Sequence, residues 1–165
     1  MALKADRHEL QTDISFFYND GSVGVARGGV VIHDTAGSGA AMDQGVNKVK
    51  YDQCVVGTEV PVGILLNDVV NKDLTRTHLN QHKDEVQLGG KVTVLRKGWV
   101  VTNMITGTPS AGGIAFADTA TAGYLRVDAS TSIASGNLAV GRFMSTLDED
   151  GYAKVEVNLP TTVRA

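Results

Sequence analysis

The chain has 165 residues, 42% of them apolar and 20% charged, with a net charge of -3. That length suits one domain with a real core, or one domain plus an arm, and the slight acidity excludes a global basic field for holding nucleic acid. The single cysteine, Cys54, excludes an intrachain disulfide framework and a cysteine metal cluster, and no apolar run approaches the roughly 18 residues that a membrane helix needs.

Residues 1 to 27 read as an N-terminal arm. Met1 to His8 has no apolar stretch of signal length, so the expectation is a protein made and used in a soluble setting. The chain is polar and charged up to Asp13. Then Ile14-Ser15-Phe16-Phe17-Tyr18 sets three aromatic residues side by side. Consecutive aromatics on an extended segment point to both of its faces. Such a segment either packs on its own core or anchors an interface with a neighbour.

The body, residues 28 to 165, is punctuated by glycine. Nineteen glycines are well above the usual share of about 7%, which favours many short strands and turns over long helices. Val30 to Ile32 is the first strand, residues 36 to 44 a small-residue loop, and Lys48 to Val56 a second extended stretch. Val60 to Asp68 is a short, β-friendly apolar run in which Pro61 belongs at a strand start or edge. Asn71 to Asp84 is the most polar block and reads as a long exposed loop. Lys91 to Ile105 reads as two strands meeting in a tight turn or bulge at Arg96 to Gly98. Later come Ile114 to Ala117, Gly123 to Val127 and Leu138 to Met144. Asp148-Glu149-Asp150-Gly151 is a turn signal, and after it Val155, Val157 and Leu159 alternate with polar residues as in a half-buried strand.

The segment Gly28-Gly29-Val30-Val31-Ile32-His33-Asp34-Thr35-Ala36 returns as Gly112-Gly113-Ile114-Ala115-Phe116-Ala117-Asp118-Thr119-Ala120. Both glycines and the closing Asp-Thr-Ala are kept. Pro61-Val62-Gly63 is echoed in the same order by Ala139-Val140-Gly141. The reading is an all-β fold, a compact, jelly-roll-like sandwich or barrel, with two related β halves. The bland alternative is coincidence in a glycine-rich composition.

Catalytic chemistry finds little support. His78 and His82 have helical i, i+4 spacing, but no glutamate between them acts as a zincin base. A simple site with Asp84 or Glu85, or a metal enzyme that adds His33, competes with a solvated loop. No Gly-x-Ser-x-Gly frame surrounds a serine, and no phosphate loop is complete. The acidic turn lacks the later bidentate glutamate of a calcium loop. Cys54 reads as a small buried apolar group. The expectation is a protein with no catalytic residues, no metal and no cofactor. Lys91, Arg96 and Lys97, with Arg76 and Lys83, form a basic rim suited to an acidic protein partner. The rim is too narrow and too poor in aromatics for nucleic acid.

The whole chain resembles the capsid decoration, or cement, proteins of tailed bacteriophages. The resemblance rests on Met1 to His8, Thr12 to Asn19, Arg27 to Val31, Pro61 to Asp68, Gly90 to Gly98 and Val140 to Gly151. It implies a non-enzymatic virion protein made in the host cytoplasm. Such a protein sits as a homotrimer on the outer capsid surface, binds the major capsid protein and stabilises the shell by bridging its subunits. Neither nucleic acid nor membrane is an expected partner. The expected contacts are Ile14, Phe16, Phe17 and Tyr18 on the arm, with Arg76, Arg96 and Lys97 on the rim. On this reading, deleting residues 1 to 20 leaves a folded body. The rival reading is a carbohydrate- or receptor-binding β module of a tail or fibre accessory.

Overall fold

The computed structural model describes residues 2–18, 24–34, 47–55, 59–68, 85–127 and 138–159. Among these, twelve strands and no helix are present: β1 (Leu3–Tyr18), β2 (Gly24–Ala26), β3 (Val30–His33), β4 (Lys48–Lys50), β5 (Pro61–Asp68), β6 (Glu85–Gln87), β7 (Lys91–Thr102), β8 (Ile105–Thr106), β9 (Ile114–Ala117), β10 (Leu125–Val127), β11 (Ala139–Phe143) and β12 (Ala153–Asn158). The all-β expectation holds. Ten strands form one mixed sheet in the order β1-β4-β3-β5-β7-β12-β11-β9-β10-β8, and β2 pairs with β6 apart from it.

The sheet closes on itself. β1 pairs parallel with β4 through Phe17 and Tyr18 and antiparallel with β7 along its length. The circuit β1-β4-β3-β5-β7 therefore returns to β1, which makes a five-stranded barrel without internal edges. The second half repeats the circuit. β7 pairs with β12, β12 with β11, β11 with β9 and β9 with β10. β10 then pairs in parallel with β8, which continues β7 after two residues. Each circuit thus has one parallel contact, between its first and third strands, and β7 is shared as the last strand of one and the first of the other.

The register carries the repeat to single residues. β3 pairs with β5 as Val30–Ile64, Val31–Gly63 and Ile32–Pro61, with a bulge after the second pair. β9 pairs with β11 as Ile114–Arg142, Ala115–Gly141 and Phe116–Ala139, again with a bulge at the same place. Gly28 and Gly112, the first glycine of each Gly-Gly, both have positive φ, 106° and 86°, a conformation that L side chains rarely adopt. Composition alone does not produce matching registers, so the two halves are related.

Alternation along the strands sorts the side chains into two cores. Phe16, Tyr18, Val31, Val49, Val62, Leu65, Val92 and Val94 fill the first barrel, with Val86 beside them. Their neighbours Val30, Ile32, Ile64, Leu66 and Leu95 face the other way and join Val100, Leu125, Val140, Phe143, Val155 and Val157 in a larger cluster. Both faces of β3 and β5 are therefore buried, which accounts for their unbroken apolar runs. Where the halves meet, Val30 N donates to Gly123 O at 2.8 Å. The buried Thr102 hydroxyl lies 2.8 Å from Gly28 O and 3.0 Å from Ala2 O, and accepts from Met104 N.

Two expectations need correction. Lys91 to Thr102 is one strand, and the polar stretch within it makes a bulge: Arg96 is the extra residue between the pairs Gln11–Lys97 and Thr12–Leu95. Residues 3 to 18 of the expected arm form the longest strand of the sheet, because their backbone groups find partners along β7. The expected loops at 36 to 44 and 71 to 84 lie outside the described residues. The Asp148–Gly151 turn forms as expected, with Gly151 N donating to Asp148 O at 3.0 Å and Gly151 at φ 80°.

Candidate interaction surface

β1 leaves the barrel while it stays on the sheet. Its last residues are inside: Phe16 and Tyr18 are buried. Phe16 stands edge-on to His33 at 5.6 Å, and Tyr18 edge-on to Tyr51 at 5.8 Å. Of the four expected contact residues, these two belong to the chain's own core, because β1 must plug the barrel that it closes. Phe17 points the other way, is half-buried, and has the Lys91 ammonium 5.9 Å from its ring centre. Ile14 is 52% exposed.

From residue 4 to residue 15, β1 has β7 on one side and, among the described residues, no strand on the other. Both of its faces are largely solvated. Leu10, which the sequence reading passed over, is 71% exposed. It is the extra residue of a second bulge, between the pairs Glu9–Gly98 and Gln11–Lys97, and bulges re-aim side chains. A lone leucine between Glu9 and Gln11 in a charged stretch was the available signal.

Polar contacts hold this ribbon in place. Lys4 Nζ donates to Asp148 Oδ2 at 2.6 Å and lies 4.3 Å from the centre of the Tyr152 ring. The hydrogen bond to Asp148 raises the Lys4 pKa against a smaller opposing effect of burial. The same bond, with the Tyr152 N–H, holds the Asp148 carboxyl below the usual range. Arg7 Nε bonds Glu9 at 2.6 Å. His8 lies edge-on to Trp99 at 6.4 Å, and Lys154 caps that indole at 3.5 Å. Asp13 accepts from the Ser15 N–H and hydroxyl and faces Arg96 Nη1 at 3.8 Å. Burial pushes the Asp13 carboxyl up, but the Ser15 hydrogen bonds and Arg96 bring it below its ordinary value.

The basic rim divides. Arg96 is half-buried against Asp13, Lys97 is exposed beside β1, and Arg76 lies outside the described residues. So do His78 and His82. His33 sits at the end of β3, where burial and then Arg96 hold its imidazole below the ordinary value. Among the described residues, no three His, Cys, Asp or Glu side chains come together as a metal site would require. Cys54 is buried, and burial, with Glu59, pushes its thiol up to about 12, which leaves it unreactive.

Each half keeps a buried acid at the end of its second strand, faced by a cation on its third. Asp34 lies 3.8 Å from Lys48 and 4.0 Å from Lys50. At the equivalent places stand Asp118 and Arg126. Burial pushes the Asp118 carboxyl up, and hydrogen bonds led by the Ala120 N–H, with the charge of Arg126, bring it below its ordinary value. These acids staple strands and present no open chemistry.

A double barrel with a solvated ribbon along one side is a scaffold for contact. The family model of structural cement proteins, described by E217 gp24 and Pam3 gp6, matches residues 7–158. The chain belongs to this family. The match runs from within β1 to the end of β12 and so spans both halves. No curated protein matches the chain significantly. The role of this cement protein is structural, in the capsid of a phage.

Proposed function

We propose that this cement protein binds the outer surface of the capsid, where it contacts the major capsid protein and bridges neighbouring subunits without catalysing a reaction. The observation that carries the reading is the solvated ribbon of β1, which stands on a sheet whose other described strands, apart from the short β8, have neighbours on both sides. Its contact set is Ile14 and the outward face of Phe17, flanked by Lys97 and Arg96, with Arg76 as a further cation. Phe16 and Tyr18 act indirectly, by fixing the end of the ribbon in the barrel. A homotrimer, the assembly that the family resemblance implies, presents three such ribbons at once. Weak contacts repeated around a symmetric shell gain by multivalency.

Capsids stripped of the protein provide the test. Wild-type protein is expected to rebind and to raise the temperature at which the shells release their DNA. Ile14→Asp combined with Lys97→Glu is expected to weaken binding at least about tenfold, since the loss of one buried apolar anchor is worth roughly 1.5–3 kcal/mol. Occupancy by the double variant equal to wild type, in co-sedimentation or by electron microscopy, would overturn the assignment of these residues. A wild-type protein that ignores the shell would overturn the function.

A further inference from the structure

We propose that the open edge of β1 pairs with β1 of a second copy of the chain, antiparallel about a two-fold axis through Leu10. Apart from the two-residue β8, every other described strand of the ten-stranded sheet has a strand on both sides. Among the described residues, the edge from residue 4 to residue 15 is therefore the long row of backbone groups with no strand beside it, a ready template for another strand. Head-to-tail pairing would need a second open edge of matching length, and the described sheet has none. Self-pairing through this edge is then isologous and closes as a pair.

The residues of β1 suit that symmetry. With Leu10 on the axis, the most exposed large apolar side chain of the described residues meets its own copy. Arg7 then faces Asp13 of the second copy, twice over, and Glu9 faces Gln11. Opposite charges on facing strands favour a register, and like charges oppose one. Shortening the register by one residue sets Asp6 against Asp13, shortening it by two sets Glu9 against itself, and lengthening it by two sets Glu9 against Asp13. In the monomer Arg7 bonds Glu9 and Asp13 faces Arg96, with the Arg7 and Asp13 side chains 30% and 28% exposed, so both can take a further partner. The charges and bulges along β1 work against indiscriminate strand addition and leave the self-matched register favoured. The other half offers a parallel: β7 opens the second circuit as β1 opens the first, and its equivalent edge is covered by an antiparallel strand, β1 itself. In a trimeric cement protein, a two-fold contact of this kind would tie one trimer to the next across the shell.

The test uses the purified full chain and does not depend on capsid binding. Sedimentation is expected to show concentration-dependent pairing that Leu10→Asp abolishes. Leu10→Cys is expected to form a disulfide-linked dimer on mild oxidation, since Cys54 is buried and does not compete. Ala5→Cys and Ser15→Cys face each other in this register, so neither should cross-link alone and their mixture should. A monomer at all concentrations, a dimer or trimer indifferent to Leu10→Asp, or failure of Leu10→Cys to cross-link would each overturn the pairing. Monomers that still bind capsids would sink the pairing and spare the function, and dimers that ignore capsids would do the reverse.

Discussion

At the scale of single residues, two glycines show what the repeat protects. A Cβ built on Gly63 would strike Leu95 O, and one on Gly141 would strike Glu156 O. Both obstacles are backbone carbonyls of the adjacent strand, which cannot step aside without opening the sheet. Gly63→Ala and Gly141→Ala are each expected to cost at least about 2 kcal/mol, at the upper end of overpacking penalties. Gly151→Ala meets no atom within 4 Å but keeps a φ of 80°, so its cost should stay near about 1 kcal/mol. Denaturant midpoints order the three, and a Gly141→Ala protein as stable as wild type would show that the strands are less tightly apposed. The Lys4–Asp148 contact gives a pH prediction. The carboxyl pKa is lowered, so its contribution is complete above the ordinary carboxylate value and fades as pH falls through the lowered one. The ammonium pKa is raised, so its contribution holds below the ordinary lysine value and fades as pH rises through the raised one. Amide protection at the start of β1 should be flat from about pH 5 to about pH 9 and fall in acid. Lys4→Ala should lower protection and remove the acid step; unchanged protection in this variant would sink the latch.

At the scale of elements, β1 decides how truncation behaves. A cut after residue 20 removes Phe16 and Tyr18 from a barrel that they fill, and with them the strand that closes it. Losing one buried Phe or Trp side chain costs about 3–5 kcal/mol, so this cut is expected to give unfolded or insoluble protein. A cut after residue 9 spares both aromatics and should leave a folded chain; circular dichroism and solubility separate the outcomes, and a well-folded product of the longer cut would contradict the closed barrel. This reverses the expectation drawn from an arm, and the reason is physical. Periodicity could not place residues 4 to 15 on a sheet, because both faces of β1 stay largely wet there and its hold on β7 is through the backbone and scattered polar contacts such as His8–Trp99 and Asp13–Arg96, which leave no apolar period. By contrast, β12 was readable from Val155, Val157 and Leu159, since one buried face writes a period of two. β5 was readable as a strand, but only its two-sided burial explains why Val62 to Leu66 does not alternate. The bulge at Arg96 was half-readable: the polar interruption was visible, and its partner on β1 was not. In the candidate surface, Ile14 and Lys97 were legible as exposed residues, whereas Leu10 was masked by its polar neighbours.

At the scale of the whole molecule, the doubled glycine phrase was the reliable guide, because a repeated close approach of strands demands glycine at repeated places. The sequence repeat did not disclose that the two circuits share a strand. That sharing has a consequence for unfolding. β7 closes the first barrel and opens the second, and the larger core draws Val30, Ile32, Ile64, Leu66 and Leu95 from one half and Val100, Leu125, Val140, Phe143 and Val155 from the other. Neither half can open without exposing apolar surface of both, so the halves should not unfold in turn despite their common design. Trp99, the sole tryptophan, lies on β7 between His8 and Lys154, and its fluorescence reports on the shared strand. Far-UV circular dichroism reports on the whole sheet. Both probes are expected to give one transition with the same midpoint and the same slope in denaturant, the mark of a two-state domain. A Gly63→Ala variant should shift both curves together, although the substitution lies in the first half and Trp99 stands at the junction. Two separated transitions, or a sheet signal that falls before the tryptophan signal, would mean that the larger core does not couple the barrels and that each half stands on its own.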